Sequence, residues 1–424
     1  MTKEARTDVL VALKPLPSAR ARLRFTLLAS GATKEFVLHD VPRRMEAMKR
    51  ALPALLTRFR VAISPEETVH LNARHEDAAL RRLHSLAYGL LDLLLECEDG
   101  ATRQVGETPS PIDFVAELSR FLAPVIAIAH KRRRGPPVIE LSAEDLEPLA
   151  WYLPLELFPI DLRAESLRLA LSKLETTHEK FLGFLGMQAI VVRRRRADPK
   201  VERSHTGRTP LAVVAYRGSD PLPGIESQLA FFARRKSSFE FDTDTVWPRD
   251  DEVDEDDAVD ELARHISRTQ AARLNGSPRP VLHFCCHYLT GDTGPEIGIT
   301  DDVSIGITDL RGTLASPLVG VPKSTHVGRP LVFVNACRSG SLSRGDESLL
   351  RLLLHRGYCH VLVGETLLPD RVAGEFAKQV YAGALRGQPV GMAVWRARRY
   401  LLEKFNNPGG LLYTLYGSPD IRLD

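Results

Sequence analysis

The sequence predicts an α/β fold: a mostly parallel sheet flanked by helices, preceded by a second α/β half. Three observations predict it. From Thr209 onward, short β-branched and aromatic runs alternate with amphipathic helical stretches, as in a sheet covered on both faces. Two of those runs, in PVLHFCCHY (280–288) and LVFVNACRSG (331–340), open as apolar stretches of strand length directly after a proline. Residues 8–41 alternate apolar and polar instead, the mark of strands with one buried face.

The elements follow in order. DVLVAL, RLRFTLL and KEFVLHDV read as a small antiparallel set of strands. Pro42 opens a helix-like pattern that Pro53 should interrupt. His75 to Leu95 carries Leu80, Leu83, Leu86, Ala87, Leu90, Leu91 and Leu94 on one face and predicts a strong amphipathic helix. A polar connection follows, then a helix over 112–129 with a break expected at Pro124. LPLELF (153–158) and FLGFLGMQAIVV (181–192) read as strands. Arg193 to Arg208 is polar, holds seven Lys or Arg residues and no apolar face, and reads as a linker. Asp250 to Glu261 has nine acids in twelve residues, so it reads as a surface loop entering a helix. Later stripes are Ala373, Phe376, Ala377, Val380 and Ala384, then Val390, Val394, Ala397 and Leu401, both helical. The expected division is residues 1–110, 111–205 and 206–424.

Composition excludes several classes of function. A chain of 424 residues with 44% apolar and 26% charged residues can bury a large core. A net charge of +3 gives no general attraction for nucleic acid, and the runs Lys131–Arg134 and Arg193–Arg196 lack interleaved aromatics. No apolar run reaches membrane-spanning length, and the first residues lack a signal-peptide core, so a cytoplasmic location is expected. The five cysteines (97, 285, 286, 337, 359) are odd in number and suit a reducing compartment. Cys285 and Cys286 point to opposite faces of a strand and cannot share a metal with His283 and His287, so no metal is expected. No phosphate-binding glycine loop follows a strand, and no cofactor is expected.

The chemistry concentrates at two strand ends. Cys337 and His287 each fall where an apolar strand should finish, where side chains leave the core of an α/β sheet. If the strands are parallel neighbours, thiol and imidazole emerge on one rim. A thiol needs a nearby base to become a thiolate, and an acid to protonate the leaving amine. The histidine precedes the cysteine by fifty residues, a caspase-like spacing. His283, inside the same run, reads as a satisfied core histidine and is given no role.

These residues also resemble a known family, the CHAT proteases, which are caspase-like and related to separase. HFCCH is similar to the family's histidine motif and NACRSG to its cysteine motif. VLVGETLLPD (361–370), VGMAVWRARRYL (390–401) and LLYTLYGSPDIRL (411–423) resemble its later strand, helix and closing strand. LAVVA with LPGIESQL (211–229), and WYLPLELF (151–158), are weaker matches upstream. The resemblance implies a caspase-like domain over 206–424 behind a non-catalytic, pseudo-caspase-like half. It implies Cys337 as nucleophile, His287 as base and acid, and the backbone N–H groups of Tyr288 and Cys337 as an oxyanion hole. Asp370 would line a pocket for a basic P1 side chain, which would make Arg193–Arg196 a candidate self-cleavage site; the rival role for Asp370 is N-cap of its own helix. The implied function is a regulated cysteine endopeptidase of prokaryotic defence or cell death. Its partners would be one protein substrate encoded nearby and an activating partner. The alternative is a CHAT-like binding module without chemistry, because Tyr288 stands where the family usually has glycine.

Overall fold

The structure is a computed structural model. It describes residues 7–63, 68–95, 109–131, 135–142, 153–161, 179–194, 207–219, 222–251, 253–271, 280–291, 294–315, 330–335, 348–355, 358, 360–366 and 368–423. Cys97, Cys337 and Cys359, Arg132–Arg134 and Arg195–Arg196 lie outside them. The chain divides into two compact units, residues 1–198 with 394–411, and 199–393 with 412–424.

In the first unit, β1 (Val9–Leu16), β2 (Arg20–Leu27) and β3 (Thr33–Leu38) form the expected antiparallel set. Their alternation buries Val9, Val11, Leu13, Leu23 and Phe25 on one face. Three helices follow: α1 (Val41–Ile63), α2 (Ala73–Leu95) and α3 (Pro111–Lys131). Both prolines expected to break helices are passed without interruption. A proline inside a helix removes one backbone bond. Buried residues on both sides hold each helix to one line, Met48 with Leu56 and Phe59 in α1, Leu122 with Ile126 in α3. β4 (Val138–Ser142) runs parallel to β1, and β5 (Ile190–Arg194) parallel to β4.

Two expectations in this unit are corrected. LPLELF is not a strand: Leu155–Leu157 is a single tight turn with Glu156 buried. FLGFLGMQ likewise forms a turn and the short helix α4 (Leu185–Gln188), leaving only β5 as strand. The arginine run is not wholly a loop. Arg193 and Arg194 end β5, and Arg193 is buried in a two-pronged pair with Glu156 at 2.7 and 2.9 Å. A guanidinium satisfied in this way tolerates burial, so Arg193 is not an exposed self-cleavage site.

The second unit carries the alternating pattern. Its elements are β6 (Thr209–Ala215), α5 (Pro223–Arg234), β7 (Phe239–Glu240), β8 (Val246–Trp247), α6 (Glu255–Ala271) and β9 (Val281–Cys285). Next come β10 (His287–Gly291), β11 (Gly294–Gly298), β12 (Ser304–Gly306) and α7 (Ile307–Ala315). The unit continues with β13 (Leu331–Val334), α8 (Leu349–His355), β14 (His360–Gly364) and α9 (Asp370–Ala384). Helix α10 (Val390–Phe405) begins in this unit and belongs mostly to the first; β15 (Tyr413–Tyr416) returns to the second. The sheet order is β15-β14-β13-β9-β6-β7, with β8 also on β6. Its pairs are parallel except for β14 with β15.

The apolar runs of β9 and β13 are buried on both faces because helices cover both sides of the sheet. Each fully buried Val, Leu or Phe contributes roughly 1.5–3 kcal/mol. A second, three-stranded antiparallel sheet, β10-β11-β12, follows β9 and has no counterpart in the sequence reading.

Candidate functional site

β9 and β13 are parallel neighbours, with Phe284 opposite Val334 and the Asn335 N–H donating to the Phe284 carbonyl at 2.8 Å. His287 therefore follows the paired position on β9 by three residues, as Cys337 follows its partner on β13. Cys337, with its N–H, lies outside the described residues. Its sequence neighbour Asn335 is placed firmly. Asn335 Nδ2 donates to Gln228 Oε1 at 2.8 Å and to the Ala373 carbonyl at 3.1 Å, while its Oδ1 accepts from the Tyr413 hydroxyl.

His283 joins the same buried network. Its Nε2 lies 2.8 Å from Gln228 Oε1, and the Tyr381 hydroxyl lies 2.9 Å from its Nδ1. Gln228 Oε1 already accepts from Asn335, so Nε2 must carry the proton and Nδ1 must accept from Tyr381. Burial pushes the His283 imidazole down to about 3, so it stays neutral. It is a satisfied core histidine, as its place inside the strand suggests.

His287 is placed differently. β9 ends at Cys285, the chain bends at the buried Cys286, and His287 opens β10, half-buried. Residues two apart on a strand share a face. A Cβ built on Gly298, the residue paired with His287, would meet His287 Cβ at 3.1 Å and Leu289 Cδ1 at 3.1 Å. His287 and Leu289 thus share one face of β10, and the Tyr288 side chain belongs to the other. Cys285 is no substitute nucleophile: it is fully buried, and burial pushes its thiol up.

Among the described residues three further groups act on the imidazole, two of which the sequence reading missed. Tyr216 stands directly after β6, and its N–H donates to the Cys285 carbonyl at 3.0 Å. Its ring meets the His287 ring edge-to-face, centroids 4.4 Å apart at 74°. The Tyr216 hydroxyl donates to Asp301, whose other carboxylate oxygen accepts the Ser219 N–H at 2.7 Å. Bonds from the Ser219 hydroxyl, then Tyr216 and the Ser219 N–H, with the charge of His287, hold the exposed Asp301 carboxyl down to about 2. The only sequence signal for these two was position: Tyr216 is a strand-end residue on the rim that also holds His287.

Asp370, the third, is the first residue of α9 and makes no cap to its own helix. Its carboxylate instead accepts the N–H groups of Gly224 and Ile225 in the first turn of α5. Burial pushes its carboxyl up; those two N–H groups, His287 and Arg371 act in the opposite direction. Among the described residues no group of three His, Cys, Asp or Glu side chains could hold a metal, and no helix is long and apolar enough to cross a membrane.

The family model of the CHAT domain matches residues 184–408, more than half of the sequence. The chain belongs to the CHAT family. Among solved structures this CHAT chain is similar to chains of two crystal structures of the Saccharomyces cerevisiae separase–securin complex, at 2.6 and 3.0 Å resolution. The TM-scores are 0.45 and 0.46, the identities 9% and 10%. The matches cover 98% and 97% of this chain but 30% of each separase-complex chain, so this chain spans less than a third of their length. No curated protein matches it.

Proposed function

We propose that this CHAT protein is a cysteine endopeptidase in which Cys337 attacks the peptide carbonyl and His287 serves as base and then acid. The observation that carries the reading is the pairing of β9 with β13. Two parallel neighbouring strands bring the chain to the same rim three residues before each of these positions. In the proposed sequence the Cys337 proton passes to His287 and the thiolate sulfur bonds to the carbonyl carbon. The backbone N–H groups of Tyr288 and Cys337 hold the developing oxyanion. His287 then returns the proton to the departing amine, and water hydrolyses the thioester.

Asp370 is proposed to receive a basic P1 side chain. Its carboxylate is near enough to His287 to feel its charge, and two N–H bonds leave further acceptor positions on the two oxygens. The substrate is proposed to be one specific protein, cut in a regulated prokaryotic defence or cell-death response, with residues 1–205 as the non-catalytic half.

The decisive experiment combines a peptidyl-arginine electrophile with peptide mapping, and assays cleavage of proteins encoded beside the gene. Wild type is expected to be labelled at Cys337 and to cut one of those proteins. Cys337→Ala and His287→Ala should each lose at least several orders of magnitude of turnover, since nucleophile and base act as a unit. Turnover retained in Cys337→Ala would end the thiol-protease reading. A wild type that is neither labelled nor active would leave the family's non-catalytic binding module as the function.

A further inference from the structure

We infer that Tyr216 and Asp301 form a positioning pair for His287, the phenol ring fixing the imidazole plane and the carboxylate favouring its protonated form. The inference rests on the proposed Cys–His reading and adds the groups that would tune it.

Several observations converge on this pair. The Tyr216 backbone is tied to the end of β9 through the Cys285 carbonyl, so its side chain starts beside the bend that releases His287. The two rings meet edge-to-face, a geometry aromatic pairs favour because a positive ring edge faces a negative ring face. The far end of the phenol is fixed in turn by its hydroxyl bond to Asp301. Asp301 is itself held by Ser219 N–H, and the Arg217 N–H donates to the Ile299 carbonyl at 2.8 Å, which fastens the strand-end segment to the one carrying Asp301.

Gly218 supplies a separate observation. A Cβ at this position would overlap both the Tyr216 hydroxyl and the Asp301 carboxylate. The bare backbone at 218 is what leaves room for the bond between them. A tie that served only the loop would not require the ring to stand against the imidazole.

Among the described residues, two carboxylates act on His287 and one neutral phenol lies against its ring. Asp301 follows β11, Asp370 opens α9, and the phenol of Tyr216 follows β6. Arg217, also after β6, acts on Cys285. Two carboxylates therefore favour an imidazolium, and through it a thiolate at Cys337 at lower pH than an ordinary thiol allows. Asp370 is engaged by α5, which leaves Asp301 as the exposed carboxylate tied to the ring that meets His287 edge-to-face.

The test needs no natural substrate. The rate of iodoacetamide alkylation of Cys337 in the full chain is followed against pH by peptide mapping, in wild type, Asp301→Asn, Tyr216→Ala, Tyr216→Phe, Gly218→Ala and His287→Ala. Each variant's fold is checked by its melting curve. In wild type the acid limb should lie well below that of a free thiol. Asp301→Asn should move it upward by about half a pH unit, the scale of an exposed charge, and less at high salt. Tyr216→Ala should move it further, Tyr216→Phe should restore part of the shift because the ring remains, and Gly218→Ala should behave like Asp301→Asn. If His287→Ala moves the limb but the Tyr216 and Asp301 variants superimpose on wild type, the positioning pair is overturned and the dyad stands. If wild type matches a free thiol and His287→Ala changes nothing, the dyad fails and the pair with it.

Discussion

The carboxylate of Asp370 accepts the backbone N–H of Gly224, so the first residue of one helix, α9, caps the first turn of another, α5. The contact is close enough that a Cβ on Gly224 would overlap Asp370, and one on Gly374 would lie 2.8 Å from the Gly224 carbonyl oxygen. Glycine at 224 and 374 is therefore a condition of this helix crossing. The carboxylate is nonetheless an expensive cap, because burial outweighs the favourable N–H groups and charges and leaves its pKa raised. A group whose folded pKa is raised gives stability that is present below its unfolded pKa and lost as pH rises through the folded one. Asp370→Asn, which keeps one acceptor, should therefore gain stability relative to wild type as pH rises from about 3 to 7. Urea midpoints across that range measure it; a constant difference would show that Asp370 does not titrate as argued.

A raised carboxylate beside a proposed catalytic histidine has a use if a cation is meant to meet it. A positional peptide library should show Arg or Lys preferred at P1 by wild type and that preference lost, about 10- to 100-fold, in Asp370→Ala, the scale of a charge-assisted bidentate pair. Preference for Asp at P1, or an unchanged profile in the variant, would remove Asp370 from the pocket and leave it as the cap of α5.

The network around His283 makes a separate prediction about acid. Its pKa falls from 6.5 to about 3 on folding because the ring is fully buried. A depressed base gives stability that is complete above the unfolded value and is lost as pH falls towards the folded one. Between pH 6.5 and about 4, the wild type should lose stability with a slope of about one proton that His283→Gln lacks. Tyr381→Phe should cost roughly 1–3 kcal/mol by leaving Nδ1 without its donor. A wild-type slope identical to that of His283→Gln would contradict the neutral, buried assignment.

The strands of the second unit were legible because a buried parallel sheet demands long apolar runs, and LVFV and VLHFC can do little else. His287 was legible as the polar residue at which such a run stops. The partners of the site were not. Gln228 lies on an amphipathic helix, where a glutamine reads as solvent-facing, yet it is buried and holds both His283 and Asn335. Tyr216 and Asp301 are 85 residues apart and carry no periodic signal; they meet where the segment after β6 is bonded to the one after β11, Arg217 N–H to the Ile299 carbonyl. Arg193 misled for a related reason. Four arginines in a row look solvated, but the strand turns the first of them inward.

That buried arginine supports the last prediction. Glu156 lies between Arg193, at 2.7 Å, and Arg398 on α10, at 3.8 Å, all three almost wholly buried. Carbonyl oxygens share the load: Leu153 accepts from Arg193, and Gly410 and Gly186 accept from Arg398. Burial holds the Arg398 guanidinium down to about 10, with Glu156 opposing and Arg193 adding to the shift. Two cations on one carboxylate make Glu156 the residue whose loss leaves the most uncompensated charge. Glu156→Gln should destabilise the first unit by about 3–5 kcal/mol, the cost of breaking a buried pair from one side. Arg193→Met should cost less, since one cation and the carboxylate remain matched. The same burial predicts that trypsin does not cut the Arg193–Arg194 bond in the native protein, and that Glu156→Gln makes it cleavable by raising the open population. Cleavage there in folded wild type, at a rate independent of its stability, would show that β5 does not hold Arg193 in the core.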